Sequence, residues 1–425
     1  MRIGVRLTGR AARAVLADGG RVHALRTTAG GRVPGTLLRE LAAQAPHPVR
    51  SVTFEVSALL ADAACGTGTG SAGTPVSVLR VLPRTSRHAA SADHPSAMMR
   101  SFVAHRAAVS GGHDLFGTAL APLDVPGAVA AARAAHRSGL RAMAVVATGA
   151  VGAPGHESAV ARAVLDAVPE LRLSLSHEVG GVGLLLRESA AVLNAAILSA
   201  AGDLVDRCQS AVRRLGDVPC WFATADGGRI SAERLRALPV LGLDAAAAMA
   251  LLGAAARCGR DTGRVVVDDG RTCTIGELRG GLPHVAADLH SALGVRLAAP
   301  RPVVDVVPTE DFRTAPAWWL RGAPQDVPVI DAEEREDQED RPDPAALGAA
   351  LCEPTAWVDL VVHAESADEL ARQRRAVEER ALRMVVTGEA PPGSERIVES
   401  HATALAYMRA GTYRLRARAT TGAQA

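Results

Sequence analysis

The stretch Val265-Val-Val-Asp268-Asp269-Gly270-Arg271-Thr272-Cys273-Thr274-Ile275 combines residue types that can handle phosphate. An apolar run that buries as a strand leads into a tight turn. Gly270 lets the backbone approach an anion there, and N–H groups with the hydroxyls of Thr272 and Thr274 can point at it. Asp268 is the candidate catalytic acid, placed to organise a divalent metal. Two positions disagree with this chemistry: Arg271 stands where a second glycine would serve, and Ile275 where a second acid would. The N-terminus repeats the pattern. In Ile3-Gly-Val-Arg6-Leu-Thr-Gly9-Arg10-Ala-Ala-Arg13 the turn glycine Gly9 is present, but arginines occupy positions suited to acids and small residues. Magnesium tolerates a missing oxygen ligand badly, so no metal site is assigned. No cofactor is expected. If the two hairpins face each other, Arg6, Arg10 and Arg271 line the cleft between them. They would then either pair with Asp268 or Asp269 and lock it, or bind an anion without metal.

Two further pairs could do proton or metal chemistry: His177-Glu178 and His113-Asp114. Neither has HExxH-type spacing, and adjacent residues on a strand or turn point apart, so no pair chelates by itself. His113 and His177 can meet only through the fold. His177 is the second candidate catalytic residue, against the commoner role of an imidazole that orients a loop. Cys273 lacks a neighbouring base to form thiolate and reads as small-residue packing. Asn194 reads as a buried hydrogen-bonding residue that positions its helix.

The elements that must carry these residues follow from the patterning. Residues 2–7, 13–17 and 21–28 read as strands, with Asp18-Gly-Gly20 as a turn. A helix near 35–45, a strand at 50–56, a helix at 125–138, a strand at 143–148, a helix at 156–168 and a strand at 171–176 follow, an α/β order with a mixed sheet. A long helix runs from about 188 to 215, with Leu193, Ile197, Leu204 and Cys208 as an apolar stripe. A strand at 221–224 and a helix at 245–256 follow, and then the hairpin unit 264–283, whose order of elements echoes that of residues 2–28 and suggests internal duplication. Residues 331–344 are acidic and proline-ended and read as an exposed linker. A terminal βαββ-like unit closes the chain: a strand at 357–363, a helix opened by the capping pattern of Ser366 and Glu369, and strands near 396–405 and 412–419.

The 425 residues exceed one core, and 48% hydrophobic content supplies several. Aromatics are only 3%, so Ala, Val and Leu must do the packing. The chain has no lysine, which excludes Schiff-base chemistry and a P-loop lysine. A net charge of +2 gives no argument for nucleic acid or an acidic membrane as partner. The six cysteines form no CxxC pair. The opening strand carries no signal pattern, and the run from Ala245 to Ala256 is too short to span a bilayer. A cytoplasmic location is expected.

Several motifs, in order, resemble the hydantoinase A / 5-oxoprolinase family. Ser174-Leu-Ser-His177-Glu178 with Gly183, Arg187-Glu188 and Val192-Leu-Asn194-Ala is similar to that family's "LSHE…G…ERE.A.VLNA". Gly112-His113-Asp114-Leu-Phe-Gly117 with Pro122-Leu-Asp124 is similar to "GHDLFG…PLD", and His156-Glu157 to its "HE" helix start. The resemblance implies an α/β, actin-like ATPase (RNase H-like) two-lobed scaffold with mixed sheets, plus a small α/β C-terminal unit. The implied bounds are 1–178, an N-terminal α/β domain; 179–310, a shortened core-like domain; 311–345, a linker or loop; and 346–425, the C-terminal segment. It also implies ATP-dependent hydrolysis of cyclic amides such as hydantoins or 5-oxoproline, often with a B-type subunit. Departures fall on the phosphate chemistry. The family's first hairpin is close to D-x-G-G-T-x-T-D, and only Gly9 survives of it. The glycine-rich adenosine loop is replaced by Val303-Val-Asp305-Val-Val-Pro308. Three functions follow as expectations. The first is a scaffold or regulatory protein pairing with an A- or B-type subunit. The second is a residual hydrolase using Asp268, Thr272 and Thr274 with ATP and Mg²⁺. The third is a metal-independent anion-binding module.

Overall fold

The computed structural model describes residues 1–30, 35–66, 73–84, 93–315, 342–387, 393–406 and 408–421. The Trp318-Trp319 pair and residues 331–341 of the acidic stretch lie outside these.

The chain opens as an antiparallel meander of β1 (Arg2–Leu7), β2 (Ala11–Asp18) and β3 (Arg21–Ala29). After helix α1 (Gly35–Ala43), β4 (Ser51–Glu55) pairs in parallel with β1. Helix α2 (Ser57–Cys65) then leads out of this sheet. Its remaining strands, β9 (Cys220–Ala223) and β10 (Arg229–Ser231), return much later and complete the order β10-β9-β4-β1-β2-β3.

The intervening chain forms a separate, fully parallel sheet: β5 (Val76–Leu82), β6 (Val103–Ser110), β7 (Ala142–Ala147) and β8 (Arg172–Leu175), in the order β6-β5-β7-β8. Helices α3 (Ala97–Phe102), α4 (Val125–Arg137) and α5 (Gly155–Ala167) make its crossovers. Residues 1–178 therefore hold two sheets, not one mixed sheet. Strand β5 escapes patterning because it buries Arg80 in the middle of an apolar run. That guanidinium makes a two-pronged pair with Glu188, at 2.8 Å and 2.7 Å.

Glu188 lies on the long helix α7 (Leu184–Val212), which follows the short helix α6 (Ser176–Val179). Among the described residues, α7 with the turn after it is the one helix long and apolar enough to cross a membrane. Here its apolar residues pack within the core, against β7 and α2 among others. Asn194 is fully buried on it. Its amide donates to Ser174 Oγ and the Ala237 carbonyl and accepts from the Val240 N–H, which ties α7 to the loop beyond α8 (Ala232–Ala237).

The second lobe consists of α9 (Ala245–Arg257) and a hairpin of β11 (Gly263–Asp268) with β12 (Thr272–Arg279). The short strands β13 (Leu282–Pro283), β14 (Val285–Ala286) and β15 (Arg301–Pro302) follow, and then β16 (Val304–Pro308), which pairs with β12. Helix α10 (Thr309–Thr314) ends this section.

Helix α11 (Pro344–Leu351) joins the lobes, lying against β1 and β2 on one side and α9 on the other. Glycine makes this approach possible. A Cβ on Gly4 would sit 1.9 Å from the Ala346 carbonyl oxygen, and one on Gly253 1.9 Å from that of Pro344. This corrects the linker expectation at its end, because Asp343 is buried and caps α11 through the Ala346 N–H. The last unit is β17 (Thr355–His363), α12 (Ala367–Thr387), β18 (Glu395–Ala404) and β19 (Thr412–Thr421), with strand order β17-β19-β18 around its own small core. At the start of α12, Ser366 Oγ accepts from the Glu369 N–H, while the Glu369 carboxylate reaches back to the Glu365 N–H.

Candidate functional site

Three adjacent strands set the first site. Arg13 on β2, Arg6 on β1 and Glu55 on β4 lie side by side in register. Gly4 shares the Arg6 face, since side chains alternate along a strand. Helix α11 approaches at Gly4, so the Asp343 carboxylate at its N-terminus reaches the arginines. Asp343 Oδ2 accepts from Arg6 at 3.2 Å and Arg13 at 3.0 Å, and Arg6 Nε lies 3.7 Å from Glu55. Burial opposes the charge of Arg6, but Asp343 and Glu55 outweigh it and raise its pKa. Burial likewise pushes the Asp343 carboxyl up, and Arg6, the Ala346 N–H and Arg13 overcome that and hold it below the usual carboxylate range. Glu55 goes the other way. Its burial dominates over Arg6 and the Ser57 N–H, and its pKa is raised.

The turns themselves are internally satisfied. In the first hairpin, Thr8 Oγ1 accepts from the Arg10 and Ala11 N–H groups. In the second, Asp268 accepts from the Gly270 N–H and Thr309 Oγ1, and its other oxygen meets Arg313 at 3.2 Å. Asp269 accepts from the N–H groups of Arg271 and Thr272 and from Thr272 Oγ1. Asp269 and the N–H groups of Gly270, Arg271 and Thr272 are committed within the second loop, and Asp268 is committed to that loop and to α10.

The residues singled out in the sequence fall as follows. Arg6 is the centre of an ion-pair cluster, but its partners are Glu55 and Asp343 and not Asp268 or Asp269, because α11 inserts its N-terminus over the strand row. Asp269 acts on Arg6 only through its field. Arg10 and Arg271 are exposed at the turn tips, and Gly9 is exposed beside Asp62. Gly270 takes the left-handed conformation, with φ +85°, that the turn demands. Thr274 stands within β12 between Val267 and Val306. Cys273 is buried against Thr309. Asp343 and Glu55 were missed: one lies in an acidic run, and the other reads as an ordinary strand end.

The second site lies at the carboxyl ends of β5, β7 and β8. Order β6-β5-β7-β8 places a topological switch between β5 and β7, where open α/β sheets bind ligands. Glu157, near the start of α5, is fully buried. Its Oε1 accepts from the Ala147 N–H and Ser176 Oγ, and its Oε2 from the His177 N–H and ring Nδ1, at 2.6 to 3.0 Å. Arg187 is buried beside it and donates to Ser176 Oγ and to the carbonyls of Ala147, Gly181 and Val182. Burial lowers its pKa against the pull of Glu157. His156 Nδ1 accepts from the Gly112 N–H at 2.8 Å, and the His113 ring packs on it at 4.1 Å. Burial, with His113, lowers the His156 pKa. The fold thus gathers His113, His156 and His177 around the start of α5, while Glu178 is exposed. Among the described residues no group of three or more His, Cys, Asp or Glu is placed to hold a metal.

No family model matches the chain, and no curated protein matches it by sequence. Two solved structures share its fold. The ATP-dependent caprolactamase from Pseudomonas jessenii aligns with a TM-score of 0.71 at 14% identity, covering 99% of this chain and 87% of that one. The nucleotide-free structure of acetone carboxylase, from work on ATP-dependent acetone carboxylation, aligns with a TM-score of 0.64 at 11% identity, covering 100% of this chain and 88% of that one. The architecture is a mixed α/β, actin-like scaffold of the kind found in these ATP-dependent enzymes.

Proposed function

We propose that this protein is a relative of the ATP-dependent cyclic-amide hydrolases whose phosphate cleft is closed by its own side chains, and that it acts as a scaffold or regulatory partner. The carrying observation is the row Arg13-Arg6-Glu55 sealed by Asp343. A guanidinium sits where a metal carboxylate would be needed, and it repels a divalent cation. Asp268 has both oxygens engaged by Thr309, Gly270 and Arg313. These residues do not fit Mg-ATP, so no step is assigned to it. The fold likeness to a caprolactamase supports the lineage. An A- or B-type subunit is the partner this lineage suggests, and a cytoplasmic setting suits it.

The test is ADP release by the purified chain with Mg-ATP and caprolactam or hydantoin, alone and with a B-type subunit. The reading predicts no release above a blank under either condition. Amide-dependent release that Arg6→Ala alters would overturn it.

A further inference from the structure

A search beyond the arginine cleft leads back to the inserted sheet. We propose that the crevice at the carboxyl ends of β5, β7 and β8 is a second ligand site, independent of any nucleotide, in which His177 Nε2 accepts a hydrogen bond or a proton from a small uncharged ligand. This does not rest on the reading of the arginine cleft.

Four observations carry it. The Glu157 carboxylate receives four donors, one of them the His177 ring Nδ1 at 2.7 Å. A carboxylate facing Nδ1 fixes the proton there, so the neutral ring has its lone pair on Nε2. That nitrogen has no protein partner among the described residues, and the side chain is 20% exposed. Orientation by a buried carboxylate, with the opposite nitrogen left open, is the arrangement of an oriented base.

His156 complements it from the start of α5. Its Nδ1 is an acceptor for the Gly112 N–H, which leaves a neutral ring with its hydrogen on Nε2, a donor. The starts of α5 and α6 therefore carry one ring whose open nitrogen donates and one whose open nitrogen accepts.

The charge of the crevice is already balanced. Arg187 offers four of its five N–H groups to Ser176 and to backbone carbonyls, and Ser176 passes the link on to Glu157. Among the described residues no free cation remains at this point to select an anion. A small cavity of about 20 Å³ opens beside Arg187, walled by Leu115, Gly149, Val151, Val182 and Val361. Its lining is mostly apolar, and Val361 comes from β17 of the terminal unit. The two open ring nitrogens call for a compact neutral molecule with an N–H or O–H next to an acceptor.

Pyrazole is such a probe. Proton–nitrogen spectra of the histidine side chains would be recorded for the full chain during a pyrazole titration. Expected are Nδ1-protonated His177 in the free protein, and saturable shifts of the His177 and His156 signals that give one dissociation constant. The same titration with Mg-ATP present should give the same constant. His177→Gln should abolish saturation, and His156→Gln should weaken it by about tenfold, the loss of one hydrogen bond. Both rings are partly exposed, so the variants should fold, which a thermal melt checks. The proposal is overturned by His177 protonated on Nε2, by no saturable shift of His177, or by saturation that survives His177→Gln.

Discussion

The two sites treat a buried carboxylate in opposite ways. At the strand row, Asp343 meets cations: Arg6 and Arg13 share its Oδ2 while Oδ1 caps α11, and the cluster is closed upon itself. At the inserted sheet, Glu157 meets only neutral donors and one imidazole, and the imidazole keeps its far nitrogen open. A carboxylate paired with guanidinium groups seals a cleft, because the strongest donors in reach are already taken. A carboxylate satisfied by N–H and O–H groups instead orients a neighbour and leaves it available. The difference is chemical, not one of burial, since both acids are removed from water.

Substitutions can break this contrast. The largest effect is expected for Glu157→Ala, which strands four donors in the interior and should cost about 4 kcal/mol in urea unfolding. If Glu157 were a minor surface contact, the midpoint would barely move. Gly4→Ala comes next. Its methyl would collide with backbone atoms of Ala346 and Ala350, which cannot rotate away, and a loss of about 3 kcal/mol is expected. Because Gly4 is what lets α11 bring Asp343 to Arg6, this variant should also expose Arg6 and Arg13, read as a new affinity for pyrophosphate by calorimetry. Asp343→Ala removes a helix cap and the shared partner of two arginines. About 2 kcal/mol is expected, with Arg13 contributing little because it is half exposed. An unchanged melting temperature would show that the cluster holds nothing together.

The smallest effect is in pH dependence, and it separates the two acids beside Arg6. The folded pKa of Asp343 is depressed. Its contribution to stability is full above its unfolded pKa of about 3.9 and is lost as pH falls through the folded value. The folded pKa of Glu55 is raised. Its contribution is full below an unfolded pKa of about 4.3 and declines as pH rises through the folded value. Asp343→Asn should therefore lose stability at neutral pH and flatten the acid limb. Glu55→Gln should be tolerated best at neutral pH. Urea midpoints taken from acid to neutral pH check both, and parallel profiles for the two variants would contradict the assignment.

The sequence makes the elements of this molecule far more legible than its partnerships. The hairpins, the long helix and the terminal βαββ unit follow from alternation, helical spacing and turn glycines, all local signals. Asn194 is readable as a positioning residue because a lone amide in an apolar helix must find partners. Arg80 hides β5, since a charge in the middle of a strand argues against burial until Glu188 is placed beside it, 108 residues later. Asp343 is invisible for a similar reason. Its run of acids reads as solvated chain, and only the fold brings it to Arg6, 337 residues away. The arginine substitutions at the hairpins can be seen in the sequence, but which carboxylate answers them cannot. His177 is likewise visible, whereas its partner Glu157 belongs to a different element, read in the sequence as a helix start.

The most direct test of the closed cleft is calorimetric titration of the purified chain with Mg-ATP. The account predicts no heat of binding and no thermal shift, with or without the metal. Saturable binding that requires Mg²⁺ would contradict it, because a site that holds the metal cannot also be sealed by Arg6, Arg13 and Asp343.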